Sequence, residues 1–102
     1  DLLLEDGEGC RSWRLRNPLV IDGPRQLATA IPKHDLCWLV KAHAKVSGGR
    51  GWAKRIFGGF YMGSLPANHQ HPLKVELHSK EIAGLLEIEA DICQLTSFNR
   101  FL

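Results

Sequence analysis

Two stretches in the second half of the chain alternate apolar and polar residues without a break. In "LKVELH", Leu73, Val75 and Leu77 alternate with Lys74, Glu76 and His78; in "LEIEADI", Leu86, Ile88, Ala90 and Ile92 alternate with Glu87, Glu89 and Asp91. A period of two sends successive side chains to opposite faces of an extended strand, which suits a sheet with one buried and one wet face. Residues 73–92 are therefore expected to form a β-hairpin turning around "SKEIAG". A helix over "KEIAGLLEIEADICQL" competes, because Ile82, Leu85, Leu86, Ile92 and Leu95 can share one stripe. Gly84 near its start and Glu89 on that stripe weigh against it.

The same pattern recurs upstream. In "VKAHAKV", Val40, Ala42, Ala44 and Val46 alternate with Lys41, His43 and Lys45; the turn cluster "SGGRG" and the aromatic-rich "WAKRIF" follow, which reads as a hairpin. "DLLLE", "DGEG" and "CRSWRL" predict another. "NPLVIDGPRQLATAIP" carries Pro18, Pro24 and Pro32 and is expected to be an edge or a connection. The total is about six short strands, and closure into a barrel removes the exposed edges that such strands would otherwise present. With 102 residues, 44% of them hydrophobic and 24% charged, the chain has material for one modest core. The expected fold is mainly β: a single small antiparallel β-barrel with glycine-rich hairpins, spanning residues 1–102.

Other classes are disfavoured by what the chain lacks. No apolar run approaches the roughly 20 residues that span a bilayer, and "DLLL" is too short for the apolar region of a signal peptide, so a soluble, cytoplasmic protein without membrane partners is expected. Cys10, Cys37 and Cys93 are odd in number and widely spaced, which points to a reducing compartment rather than to a disulfide framework. "SGGRG" lacks the Lys-Ser/Thr ending of a nucleotide P-loop. The net charge is only +2, but no Asp or Glu occurs from Leu36 to Val75. Lys41, Lys45, Arg50, Lys54 and Arg55 fall in that stretch and form a candidate surface for a phosphate backbone, with Trp38 as a stacking candidate.

The order of these segments, "DLLLEDGEGCRSWRL", "IPKHDLCWL", "KVSGGRGWAKRIFGGFY" and "LKVELHSKEIAGLLEIE", resembles the 3′-phosphoesterase domain of bacterial DNA ligase D and its small stand-alone relatives. The resemblance implies a compact β-barrel with Mn²⁺-dependent removal of 3′-phosphates and 3′-ribonucleotides from DNA ends, and a primer-template as substrate with a ligase or polymerase as possible partner. By resemblance, Asp1 and Glu5 match the aspartate and glutamate of the family's H-x-D-x-R-x-E strand, and Leu3 stands in place of its arginine. His34 matches the metal-binding histidine of an H-x-x-x-Y element, with Trp38 replacing the tyrosine. Asp1 and His34 are thus the implied metal ligands, with His34 and Arg11 as the catalytic pair and Arg11 approaching the phosphate. The family's other histidines lie just upstream of the aspartate, so a segment before Asp1 is expected to be missing.

Each of these residues also has a plainer role to weigh. His34 can hydrogen-bond a loop carbonyl, and Trp13, Trp38 and Trp52 can simply wall a barrel. His69 and His71 in "NHQHP" have H-x-H spacing but sit in a polar loop beside Pro72. Two functions follow: an end-healing phosphoesterase, or a nucleic-acid-binding barrel of the same ancestry without a metal centre.

Overall fold

The computed structural model describes residues 1–39, 43–45, 52–54, 56–68 and 70–98, with residues 43–45 and 52–54 described by their backbone. The alternating segments become strands: β1 (Leu2–Asp6), β2 (Gly9–Leu15), β3 (Gln26–Asp35), β4 (His43–Lys45), β5 (Trp52–Lys54), β6 (Gly59–Met62), β7 (Leu73–Ser79), β8 (Ala83–Glu89) and β9 (Ile92–Thr96). A short 3-10 turn covers Leu36–Leu39. Seven strands form one sheet in the order β1-β2-β3-β9-β8-β7-β6, every pair antiparallel, and β4 and β5 form a separate two-stranded ribbon. The large sheet curls nearly into a barrel. Side chains cross the gap between its two end strands: the Tyr61 hydroxyl of β6 donates to the Glu5 carbonyl of β1, and Arg11 Nη1 of β2 donates to the Pro66 carbonyl.

Alternation decides which residues fill the interior. Leu73, Val75 and Leu77 of β7 are buried, as are Leu86 and Ile88 of β8 and Cys93 and Leu95 of β9. They meet Leu2, Leu4, Trp13, Leu19, Ala28 and Ile82 in a single cluster. The intervening polar residues stay on the opposite face, where Lys74 pairs with Glu87 across β7 and β8. Gly84 has a steric reason to be glycine, since a Cβ there would lie 2.6 Å from the Thr96 carbonyl oxygen of β9. The residue that argued against a helix thus allows two strands to approach.

The structure redraws three sequence expectations. The strand expected through Ile92 is broken: β8 ends at Glu89, Ala90 and Asp91 turn with φ of 50° and 61°, and β9 begins at Ile92. Two positive φ values in a two-residue connection are the mark of a type I′ turn, usually filled by Asn-Gly. Ala-Asp carries no such signal, and the alternation runs through it, so the sequence shows no punctuation. Second, the described residues hold nine strands rather than about six. Third, the proline-containing segment holds more than a connection, because Gln26–Asp35 is the longest described strand, paired with β2 between Ala28 and Asp35 and with β9 at Gln26 and Leu27. Pro32 lies in the half of β3 that does not pair with β9, where its missing N–H leaves no gap in that ladder. The "VKAHAKV" hairpin is represented by β4 and β5; its connecting segment 46–51 lies outside the described residues.

The turn at Ala90 and Asp91 yields a test. A left-handed backbone costs an L-residue roughly 1–2 kcal/mol. The double substitution Ala90→Asn, Asp91→Gly is expected to stabilise the fold by about 1 kcal/mol, read as a higher urea midpoint at unchanged slope.

Candidate functional site

The hairpin of β1 and β2 sets the first half of the site. Its two-residue turn begins with Gly7 at φ 65° and closes with Asp6 opposite Gly9, which fixes the register along the whole pair. Leu2 faces Trp13 and Leu4 faces Arg11, all on the core side; Leu3 faces Ser12 and Glu5 faces Cys10 on the other side. Asp1 continues that second face, and its Oδ1 accepts from Arg14 Nε at 3.3 Å.

The second half comes from β3. Its register against β2 shifts between Cys10 and Ser12: Ser12 pairs with Ile31, whereas Cys10 pairs with His34. One extra residue of β3 is therefore taken up around Pro32 and Lys33, a β-bulge. An uninterrupted ladder would set Cys10 opposite Lys33 and turn His34 to the core side with Arg11. The bulge instead puts His34 on the face of Ser12 and Asp1.

There Ser12 holds the His34 ring through Nδ1. Its Nδ1 lies 2.8 Å from Ser12 Oγ, and the Ser12 hydroxyl itself donates to the Cys10 carbonyl at 2.8 Å. With that hydrogen committed, Ser12 Oγ accepts from the Nδ1–H, so in neutral His34 the lone pair is on Nε2. Nε2 lies 3.6 Å from Asp1 Oδ2. The Trp38 ring stands edge-on to the imidazole, centroids 6.5 Å apart at 86°. The resulting array has a fixed imidazole lone pair, a carboxylate oxygen and the exposed Arg14 guanidinium side by side.

The structure thus brings Asp1 and His34 together and places Trp38 against them, but sets Arg11 elsewhere. Arg11 is buried on the core side of β2; its Nη2 bonds Asp6 Oδ2 at 3.0 Å, its Nη1 bonds the Pro66 carbonyl, and its Nε has no partner. Lys33 Nζ reaches the same Asp6 oxygen at 3.2 Å. Arg14 is the cation beside the pair, and sequence reasoning missed it. The signal was available: once "DGEG" is taken as a two-residue turn, the register sets Arg14 opposite Asp1.

Of the expected nucleic-acid-binding residues, Lys41, Arg50 and Arg55 lie outside the described residues. Lys45 and Lys54 occupy β4 and β5, where His43 pairs with Lys54 and Lys45 with Trp52, so these four positions belong to one face of the ribbon. In the "NHQHP" loop, Asn68 Oδ1 accepts from the Gln70 N–H and the Asn68 carbonyl from the His71 N–H; His69 lies outside the described residues.

The donors at Asp1 and His34 can be tested against a divalent ion. Two ligands roughly 2.1 Å from one ion and roughly 90–110° apart lie about 3.0–3.4 Å from each other, close to the separation of this pair. A mixed imidazole and carboxylate set suits Mn²⁺. The pair fits as part of a site, while no group of three or more His, Cys, Asp or Glu that could hold a metal occurs among the described residues. Compared with protein-family models, with curated proteins and with solved structures, the chain matches none. No helix among the described residues is long and apolar enough to cross a membrane.

The Asp6 cluster has an acid signature. The Lys33 hydrogen bond, followed by that of Arg11, holds the Asp6 carboxyl below its ordinary 3.8, against desolvation acting the other way. A depressed carboxyl contributes stability that is present above 3.8 and is lost as the pH falls through the lower folded-state value. Asp6→Asn is expected to flatten the acid limb of stability below about pH 4, measured as urea midpoints at stepped pH.

Proposed function

We propose that the chain is a phosphoesterase-like barrel that heals 3′ ends of DNA, as in DNA repair, with Asp1 and His34 as a metal-binding pair. The observation that carries this reading is the convergence of Asp1 Oδ2 and His34 Nε2, from strands far apart in sequence, with Ser12 fixing the imidazole tautomer. A Mn²⁺ ion held there supplies polarisation of a phosphoryl oxygen and activation of water. Arg14, 69% exposed at its side chain and anchored on Asp1, is placed to meet a terminal phosphate. Ser12 keeps the His34 lone pair directed outward, and Trp38 shields one edge of the ring. Lys45 and Lys54, with Lys41, Arg50 and Arg55 from the same acid-free stretch, contribute attraction for the DNA backbone. The thiols of Cys10, Cys37 and Cys93 are free, which fits a reducing, cytoplasmic setting.

A second reading is supported by the absence, among the described residues, of a third clustered ligand: a nucleic-acid-binding barrel without catalysis. Metal titration separates the two. On the first reading Mn²⁺ raises the melting temperature, by the equivalent of about 2.7 kcal/mol at a hundredfold excess over Kd, and supports release of 3′-phosphate from a primer-template. His34→Ala is expected to abolish both effects, and His71→Ala neither. A melting temperature indifferent to Mn²⁺, combined with strand binding that falls steeply with salt, establishes the binding module instead.

The role of Ser12 has its own measurement. Ser12→Ala leaves the Nδ1–H unheld, so Mn²⁺ affinity should fall about 10–100-fold, read from the midpoint of the thermal shift. Ser12→Thr, which keeps the hydroxyl, should retain most of it.

A further inference from the structure

On the solvent face of the sheet, far along the strand order from β1, three rings are stacked. Phe60 of β6 is the register partner of His78 of β7; their ring centroids lie 5.0 Å apart with planes 11° from parallel. From the β9 side Phe98 stacks on the same imidazole at 5.4 Å and 28°. It can reach there because the partner of His78 on β8 is Ala83, too small to intervene. Glu76, on the same face of β7, fixes the ring by taking His78 Nε2 at 3.1 Å. Phe98 and His78 are half-buried, whereas Phe60 is 64% exposed, so the stack has one open end. A shallow, open depression of about 490 Å³ runs along the stack, lined by Gly58, Gly59, Phe60, His78, Ser79 and Lys80.

Isolated surface phenyls are common, but three aligned rings with one face open define the shape of a ligand: a flat ring that extends the stack. Lys80 brings the fixed charge to that depression, so the complementary ligand is planar and anionic together. We propose that Phe60, backed by His78 and Phe98, is a stacking platform for an unpaired base of single-stranded nucleic acid, with Lys80 taking the adjoining phosphate. The platform draws on β6, β7 and the segment after β9, and does not rest on metal chemistry at Asp1 and His34.

The test compares fluorescein-labelled oligothymidylate with an abasic strand of equal length and charge, by anisotropy at low salt with the full chain. The wild type should bind the base-containing strand about tenfold more tightly. Phe60→Ala should erase that preference, Phe60→Trp should keep it, and circular dichroism should show both folded, since Phe60 is exposed. Lys80→Gln should weaken both strands alike and lower the salt slope by about one. His71→Ala should change neither strand's affinity, and titrating without added Mn²⁺ keeps this outcome separate from that of the metal pair. Equal affinity for the two strands, no binding to either, or a preference that survives Phe60→Ala overturns the platform. Self-association that is lost in Phe60→Ala without any base preference reassigns the stack to a contact between copies of the chain.

Discussion

The two ends of the seven-stranded sheet are joined through side chains, because no ladder pairs β1 with β6 among the described residues. An open antiparallel sheet exposes backbone donors and acceptors at both edges, and curling brings those edges near enough for side chains to bridge them. Tyr61 spans the gap to the Glu5 carbonyl and Arg11 reaches Pro66. Burial, then Asp6 and Glu5, push the Tyr61 phenol above its ordinary 10.0, which keeps it a neutral donor across that seam. Arg11 accordingly serves closure: its buried guanidinium is shared between Asp6 of β1 and the Pro66 carbonyl beyond β6.

Everything at the Asp1 and His34 pair depends on that wall having two distinct faces. β2 is buried on both, with Arg11 and Trp13 toward the core and Cys10 and Ser12 beneath His34. A strand enclosed on both sides has little freedom to slip, so Ser12 can hold an imidazole in one tautomer. Burial also pushes the Cys10 thiol up, and takes that of Cys93 to about 11, so both stay thiols near neutral pH.

How much of this was legible follows from what alternation can and cannot encode. Leu73 to Leu77 and Leu86 to Ile88 identified the β architecture and half of the core, since burial on one face is what a period of two expresses. The turn at Ala90 and Asp91 was invisible because its left-handed backbone is carried by residues that do not advertise it. His34 and Asp1 could be named only by resemblance; their proximity depends on a change of register that no local pattern announces. Arg14 was legible in principle, because a two-residue turn determines every pair above it. Arg11 was misplaced by the same oversight: counted from that turn, it falls on the face of Leu4.

The bulge around Pro32 and Lys33 gives the pair an unusual kind of fragility. The face on which His34 emerges is determined by the parity of residues between Ser12's partner and Cys10's partner, not by the identity of any of them. Chemistry at this position is therefore written in chain length. A lineage could exchange Pro32 or Lys33 for many other residues and keep the imidazole beside Asp1, yet the loss of a single codon there would leave both residues encoded and send His34 into the interior. Insertions and deletions, rather than substitutions, are the changes to which this site is most exposed.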